Sequence, residues 1–399
     1  MFESDTFGFM LVFDLSTRCN LECVYCNADA GPLGFRPVLD PEVVEKWVEA
    51  FGSFGPSLVS IQLHGGEPLI VDPPVELYAA IVRNTLARFP KTRLDYLGVQ
   101  SNGSALDERR ASSLEAVGLQ IDISIDGPAS IHDRRRSLPG RSNHREAVRA
   151  HHLLRARGKN PGVIAVAADP QDVIPAVEFF LEDGFRDIRM NVMRPEGRAQ
   201  RLRQWDDLTF MRAMAWEYFR AAKLIADHNK GRPDAPFFEY NLTSLMRILT
   251  GESHRSEMMY WSFLIDDRGR LWSHPCGFYA AEGLRLTDDG TPSRDSLRQV
   301  LGLEAAGSIS PADVAAAIRQ RLAQSSYGAC PDCKSPDFCV PVYGRRNNCE
   351  YKNPVCVWAS DLMVHLAKWL HDDPEAARRI VPRSKGARGE KASKVAVSP

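Results

Sequence analysis

Ser16-Thr17-Arg18-Cys19-Asn20-Leu21-Glu22-Cys23-Val24-Tyr25-Cys26-Asn27 decides the reading of this 399-residue chain. Three cysteines fall within eight residues, spaced C-x3-C-x2-C, so three thiolates sit on one short loop. That arrangement suits a cubane iron–sulfur cluster, which normally takes one cysteine per iron and four in all. Without an obvious fourth nearby, one iron is left open to an outside ligand. The competing reading is zinc, but zinc sites usually pair C-x2-C with a second pair some way off. The apolar run Phe9-Met10-Leu11-Val12-Phe13 reads as a buried strand over 8–15 that feeds directly into the loop.

Working outward, helices read at 41–54, 74–88, 107–117, 144–157 and 171–183 alternate with strands at 59–63, 94–100, 119–125, 162–167 and 186–193. Asp40 and Pro41 supply the cap and first turn of the first helix. Strands alternating with helices of about 10–15 residues indicate parallel βαβ units. In such folds the ligand sits at the carboxyl ends of the strands. Cys19–Cys26, Gly65–Pro68, Gln100–Gly103, Ser124–Gly127 and Asn191–Met193 all fall there. Further helices are expected at 205–228, 239–250 and 357–371, and from Cys276 onward the chain reads as irregular and holds the six remaining cysteines.

Composition narrows the class. A net charge of −1 and 44% hydrophobic residues describe an ordinary globular protein, with no global attraction to nucleic acid or an anionic membrane. No run of about 18 apolar residues is present, and Met1–Asp5 lacks the features of a signal peptide. Nine cysteines without a secretion signal point to metal ligation or reduced thiols, and hence to a cytoplasmic location. Residues 376–399 are expected to be a tail, disordered over 383–399 by their Lys, Arg, Gly and Ser content.

With Tyr25 as the aromatic residue, C-x3-C-x-aromatic-C resembles the signature of the radical S-adenosylmethionine (SAM) enzymes. The resemblance implies an α/β partial (β/α)6 TIM-like barrel over residues 1–235, with Cys19, Cys23 and Cys26 holding a [4Fe–4S] cluster whose open iron chelates SAM. It also implies reductive cleavage to a 5′-deoxyadenosyl radical, fed by an external donor of the flavodoxin or ferredoxin type. Gly65-Gly66-Glu67-Pro68 resembles the family's GGEP motif, which contacts the SAM amino group; a tight turn alone would also explain the glycines. Ser124 matches the serine on the SAM ribose, Arg136 the arginine on the SAM carboxylate, and Asn102 another position at the mouth. Arg134 and Arg135 are expected to form a solvated charged turn. No G-x-G-x-x-G follows a strand, so a Rossmann site is unsupported.

Cys330-x2-Cys333-x5-Cys339, followed by Cys349 and Cys356 and preceded by Cys276, resembles the SPASM extension of radical SAM enzymes that mature peptides. This implies a small irregular cysteine-rich domain over 236–375 and at least one auxiliary [4Fe–4S] cluster. Cys330, Cys333, Cys339 and Cys356 are its expected ligands, with Cys349 and Cys276 unplaced; a zinc site on the same four is the alternative. Tyr343 stands where the pattern has a further cysteine. Gly277 stands where sulfatase-maturating members carry a basic aspartate after the matching cysteine.

The expected activity is modification of a ribosomally made precursor peptide, ending in an intramolecular C–C (cyclophane-like) or C–S crosslink. The barrel starts close to Met1, so a leader peptide is expected to dock on the barrel, on the SPASM region or on a separate protein. The alternative is an epimerase or dehydrogenase of a sugar or amino-acid derivative. Scattered arginines without interleaved aromatics do not support an RNA role.

Overall fold

The apolar run before the cysteines becomes the middle of the sheet. In the computed structural model, which describes residues 7–34, 37–136, 141–193, 197–202, 207–232, 234–250, 259–274, 313, 316 and 354–381, Phe7–Asp14 forms β1. It is buried on both faces, as a strand inside a parallel sheet must be. β1 pairs in parallel with β2 (Leu58–His64) on one side and β8 (Met259–Ile265) on the other. Beyond β2 lie β3 (Arg93–Ser101), β4 (Gln120–Ser124), β5 (Val163–Ala167), β6 (Asp187–Val192) and β7 (Phe238–Glu239), all parallel. β9 (Leu271–His274) runs antiparallel to β8 at the far edge, giving the order β7-β6-β5-β4-β3-β2-β1-β8-β9.

Each successive strand from β1 to β6 is one place further along, with a helix in each connection. These are α1 (Pro41–Gly52), α2 (Val75–Leu86), α3 (Glu108–Ala116), the pair α4 (Ala129–Arg135) and α5 (His144–Ala156), and α6 (Pro170–Glu182). Their starts are written locally: Asp40, Asp107 and Asp169 accept from Glu42 N (2.8 Å), Arg110 N (2.7 Å) and Gln171 N (3.0 Å). The expected parallel partial barrel is the architecture found. Under β1, Phe9, Phe51 and Phe263 form a triangle with ring centroids 4.8–5.9 Å apart, and Trp47 Nε1 donates to Gly269 O at 3.0 Å.

α7 (Leu208–Asn229) and α8 (Tyr240–Leu249) complete the described barrel. α9 (Pro354–Asp372) packs on α7, with Trp358 edge-on to Tyr218 at 5.0 Å and Trp369 edge-on to Phe219 at 6.0 Å. After α10 (Pro374–Arg378), Arg379 O accepts from Asn229 Nδ2 and Ile380 O from Thr243 Oγ1, both at 2.9 Å.

Four features differ from the sequence reading. α4 is too short for a periodic signal, and β7 is a two-residue strand fixed only by its neighbour. β8 and β9 place 259–274 in the barrel's own sheet, beyond the boundary expected at 235. Among the expected auxiliary ligands, Cys276, Cys330, Cys333, Cys339 and Cys349 lie outside the described residues, as does the tail from 382. Cys356 falls on α9.

Candidate active site

Between β1 and α1 the chain makes the cysteine loop, held by backbone contacts to the end of β2. Gly66 N donates to Ser16 O (2.7 Å) and Glu67 N to Arg18 O (2.9 Å), while Cys19 N donates to Gly31 O (3.1 Å). This close approach explains the two glycines. Gly65 has φ +120°, and a Cβ on Gly66 would stand 2.0 Å from Arg18 O. The pair is more than a tight turn: it clamps the loop that carries the cysteines.

The sulfurs face a cavity of about 180 Å³ at the carboxyl ends of β1 to β6. Leu21 N donates to Cys19 Sγ at 3.4 Å and Ala30 N to Cys26 Sγ at 3.3 Å. Burial pushes the Cys19 thiol up to about 12, with Glu67 adding to it, and the Cys23 thiol up to about 11. Holding these groups as thiolates therefore calls for a cationic partner. Among the described residues no three His, Cys, Asp or Glu side chains converge to chelate a single ion. Three sulfurs spread along one wall suit a cubane instead, in which each thiolate takes its own iron.

Across the cavity from the loop, Gln100 Nε2 donates to Ser124 Oγ at 2.9 Å, and the buried Gln100 Oε1 has no partner. Arg136, at the end of α4, lies with Nε 3.5 Å from Asp126 Oδ2 and its guanidinium 5.8 Å from the Tyr25 ring centre. Tyr25 OH donates to the same Asp126 oxygen, while Asp126 Oδ1 accepts from Val166 N at 2.9 Å. Asp126 N in turn donates to Nδ1 of the buried His132 at 3.3 Å. No carboxylate lines the cavity among the described residues.

The structure thus brings Cys19, Cys23, Cys26, Tyr25, Gly65, Gly66, Asn102, Ser124 and Arg136 to one cavity, and leaves Glu67 and Pro68 behind its wall. Glu67 is 1% exposed, and its carboxylate is fully engaged. It accepts from Leu69 N (3.0 Å), Ser101 Oγ (2.8 Å) and Asn102 N (2.6 Å). Its side chain braces β2 against β3. Asn102 continues the brace: its Nδ2 donates to Asn20 Oδ1 at 2.8 Å.

Sequence reasoning missed Arg198, on a single 3₁₀ turn over Gly197–Arg201. Its Nη1 donates to Cys23 O (2.7 Å), its Nη2 to Ala30 O (2.8 Å) and its backbone N to Cys26 O (2.8 Å). Only the neighbouring Gly197, with φ +53°, hinted at a close approach; its Cβ would stand 2.3 Å from Asn27 O. Of the charged turn expected to be solvated, Arg134 is exposed, its side chain 58% accessible, while Arg135 is corrected. Both pair with Asp172 on α6, Arg135 is 11% exposed, and Arg135 O accepts from Val24 N at 2.9 Å.

The geometry now meets the comparisons with known proteins. Residues 14–174 match the family model of the radical SAM superfamily, so this stretch is a radical SAM domain. Radical SAM domains take a [4Fe–4S] cluster and SAM, which the thiolate wall and the Arg136 side of the cavity fit.

The chain is 29% identical to Fe-coproporphyrin III synthase of Methanosarcina barkeri over 177 residues, 44% of this chain and 41% of that protein. It is 22% identical to a cysteine-type anaerobic sulfatase-maturating enzyme of Clostridium perfringens over 289 residues, 69% of this chain and 76% of that one. It therefore spans less than half the length of the first curated relatives it matches. Its fold is that of anSMEcpe with bound AdoMet and Cp18Cys peptide, with a TM-score of 0.66 at 17% identity, covering 94% of this chain and 99% of that one. Among the described residues no helix is long and apolar enough to cross a membrane.

Proposed function

We propose that this enzyme modifies a precursor peptide, closing an intramolecular C–C or C–S crosslink. The observation carrying this reading is the likeness of fold over 94% of the chain to a protein that holds both AdoMet and a peptide. Gly277, where sulfatase-maturating relatives carry an aspartate, argues for an outcome other than formylglycine.

Cys19, Cys23 and Cys26 would hold three irons, and the cluster with SAM supplies the 5′-deoxyadenosyl radical that abstracts the first hydrogen. The chain's own residues do the rest. The Gly65-Gly66 backbone keeps the cysteine loop in place and offers polar groups to the SAM amine. Arg136, oriented by Asp126 and Tyr25, takes the SAM carboxylate, a pairing that suits its planar fork. Ser124 and Gln100 present a hydroxyl and an amide oxygen to the ribose. Ring closure would remove a second hydrogen, and Cys330, Cys333, Cys339 and Cys356 would hold an auxiliary [4Fe–4S] cluster that could take up the electron. A flavodoxin- or ferredoxin-type donor restores the reducing electron.

A second reading is chemistry on a small molecule, epimerisation or dehydrogenation. It is favoured by the 29% identity to a relative named for a porphyrin product. One preparation separates the two. Anaerobically purified protein is expected to carry about eight irons, falling to about four when Cys19, Cys23 and Cys26 become alanine. Short peptides encoded beside the gene should then lose two hydrogens by mass spectrometry. About four irons falling to none, with zinc appearing, would remove the auxiliary acceptor and bring the small-molecule reading forward.

A further inference from the structure

Arg189 is the charged group that the cofactor assignment leaves unused. It sits on β6, lines the cavity, and is separated along the sheet from the cysteine loop by the intervening strands. Its Nε is buried without a hydrogen-bond acceptor, and no carboxylate pairs with its guanidinium among the described residues. Its one neighbour of note is aromatic: the guanidinium lies 4.8 Å from the ring centre of Tyr240, which is 51% exposed at the start of α8.

The two guanidiniums of the cavity are therefore unequal. Arg136 faces Asp126, which balances its charge. Glu239 lies near enough to feel the Arg189 charge, but both its oxygens are committed to backbone. Glu239 Oε1 accepts from Met190 N at 2.9 Å and Oε2 from Leu242 N at 2.7 Å. Burial also pushes its carboxyl up to about 7, so it carries reduced charge at neutral pH. A partly buried guanidinium without a counter-ion is an expensive group unless a ligand completes it.

The geometry points to Arg189 and Tyr240 as a substrate subsite for a carboxylate, which on the peptide reading is an Asp or Glu side chain close to the residue attacked. The guanidinium fork donates to both carboxylate oxygens. Tyr240 covers the guanidinium from one face, and Arg189 itself lines the cavity. Asn191, two residues along the same strand and also lining the cavity, adds an amide beside it. The cavity walls contribute no competing acid among the described residues.

The subsite rests on the peptide reading only for the source of the carboxylate, and its test is direct binding. N-acetyl-aspartate N-methylamide and its asparagine isostere would be titrated into the cluster-loaded, SAM-bound enzyme and followed by saturation-transfer NMR. The aspartate probe is expected to bind at least tenfold tighter. Arg189→Gln should abolish that preference while leaving iron content and SAM affinity unchanged, and Arg189→Glu should favour the N-acetyl-lysine analogue instead. Equal binding of the two probes, no binding of either, or a preference that survives Arg189→Gln overturns the subsite. Binding of the aspartate probe with no peptide ever modified would keep the subsite and sink the peptide reading.

Discussion

His132 shows how much one buried side chain can carry. It is fully buried, accepts from Asp126 N through Nδ1, and lies with Nε2 3.4 Å from Asn143 Oδ1. Burial pulls its pKa down from 6.5 to about 4. The unfolded chain therefore binds the proton more readily between those values. The neutral ring's contribution is present above about pH 6.5 and is lost as pH falls toward 4. The shift corresponds to on the order of 3 kcal/mol once both states are protonated. Chemical denaturation at stepped pH should show wild type losing stability over that window, and His132→Asn, which keeps an acceptor for Asp126 N, losing less. Equal acid slopes would mean the ring is not held neutral.

At the scale of elements, the cysteine loop is built from three sides: the end of β2, the last turn of α4, and the turn over Gly197–Arg201. The third contact lies outside the 14–174 segment that the family model matches. Arg198→Ala leaves two loop carbonyls without their charged donor, worth roughly 2 kcal/mol if they are not rehydrated. The expected result is several-fold faster release of iron to a chelator with little change in barrel melting. Arg198→Lys should recover only part of the effect, because one ammonium replaces a fork that reaches two carbonyls. Unchanged iron release in Arg198→Ala would reduce the residue to a surface contact.

For the whole molecule, the question is whether the C-terminal helix stands apart from the barrel. Trp358 is fully buried against Tyr218, and the backbone after α10 is bonded to Asn229 and Thr243. Trp358→Ala is expected to lower the stability of the barrel itself by about 3–5 kcal/mol. Urea unfolding followed in the barrel should shift as one transition. A separate transition at lower urea, with the barrel unmoved, would make α9 part of an independent unit.

The sequence by itself determined what is local. Apolar runs and helical periods gave the six β/α units, Asp40, Asp107 and Asp169 gave the helix starts, and the cysteine spacing with Gly65-Gly66 gave the site's position at the strand ends. What only the tertiary structure decided is what depends on distant partners. Glu67 turned from a ligand-facing carboxylate into a brace because Ser101 and Asn102 lie within hydrogen-bond reach of it. Arg135 left solvent because Asp172 on α6 stood opposite. β8 joined β1 across more than 240 residues, Arg198 closed on the cysteine loop, and the buried Nε of Arg189 was left without an acceptor among the described residues. Local propensity and spacing are properties of neighbours along the chain, whereas charge pairing and burial are properties of neighbours in space.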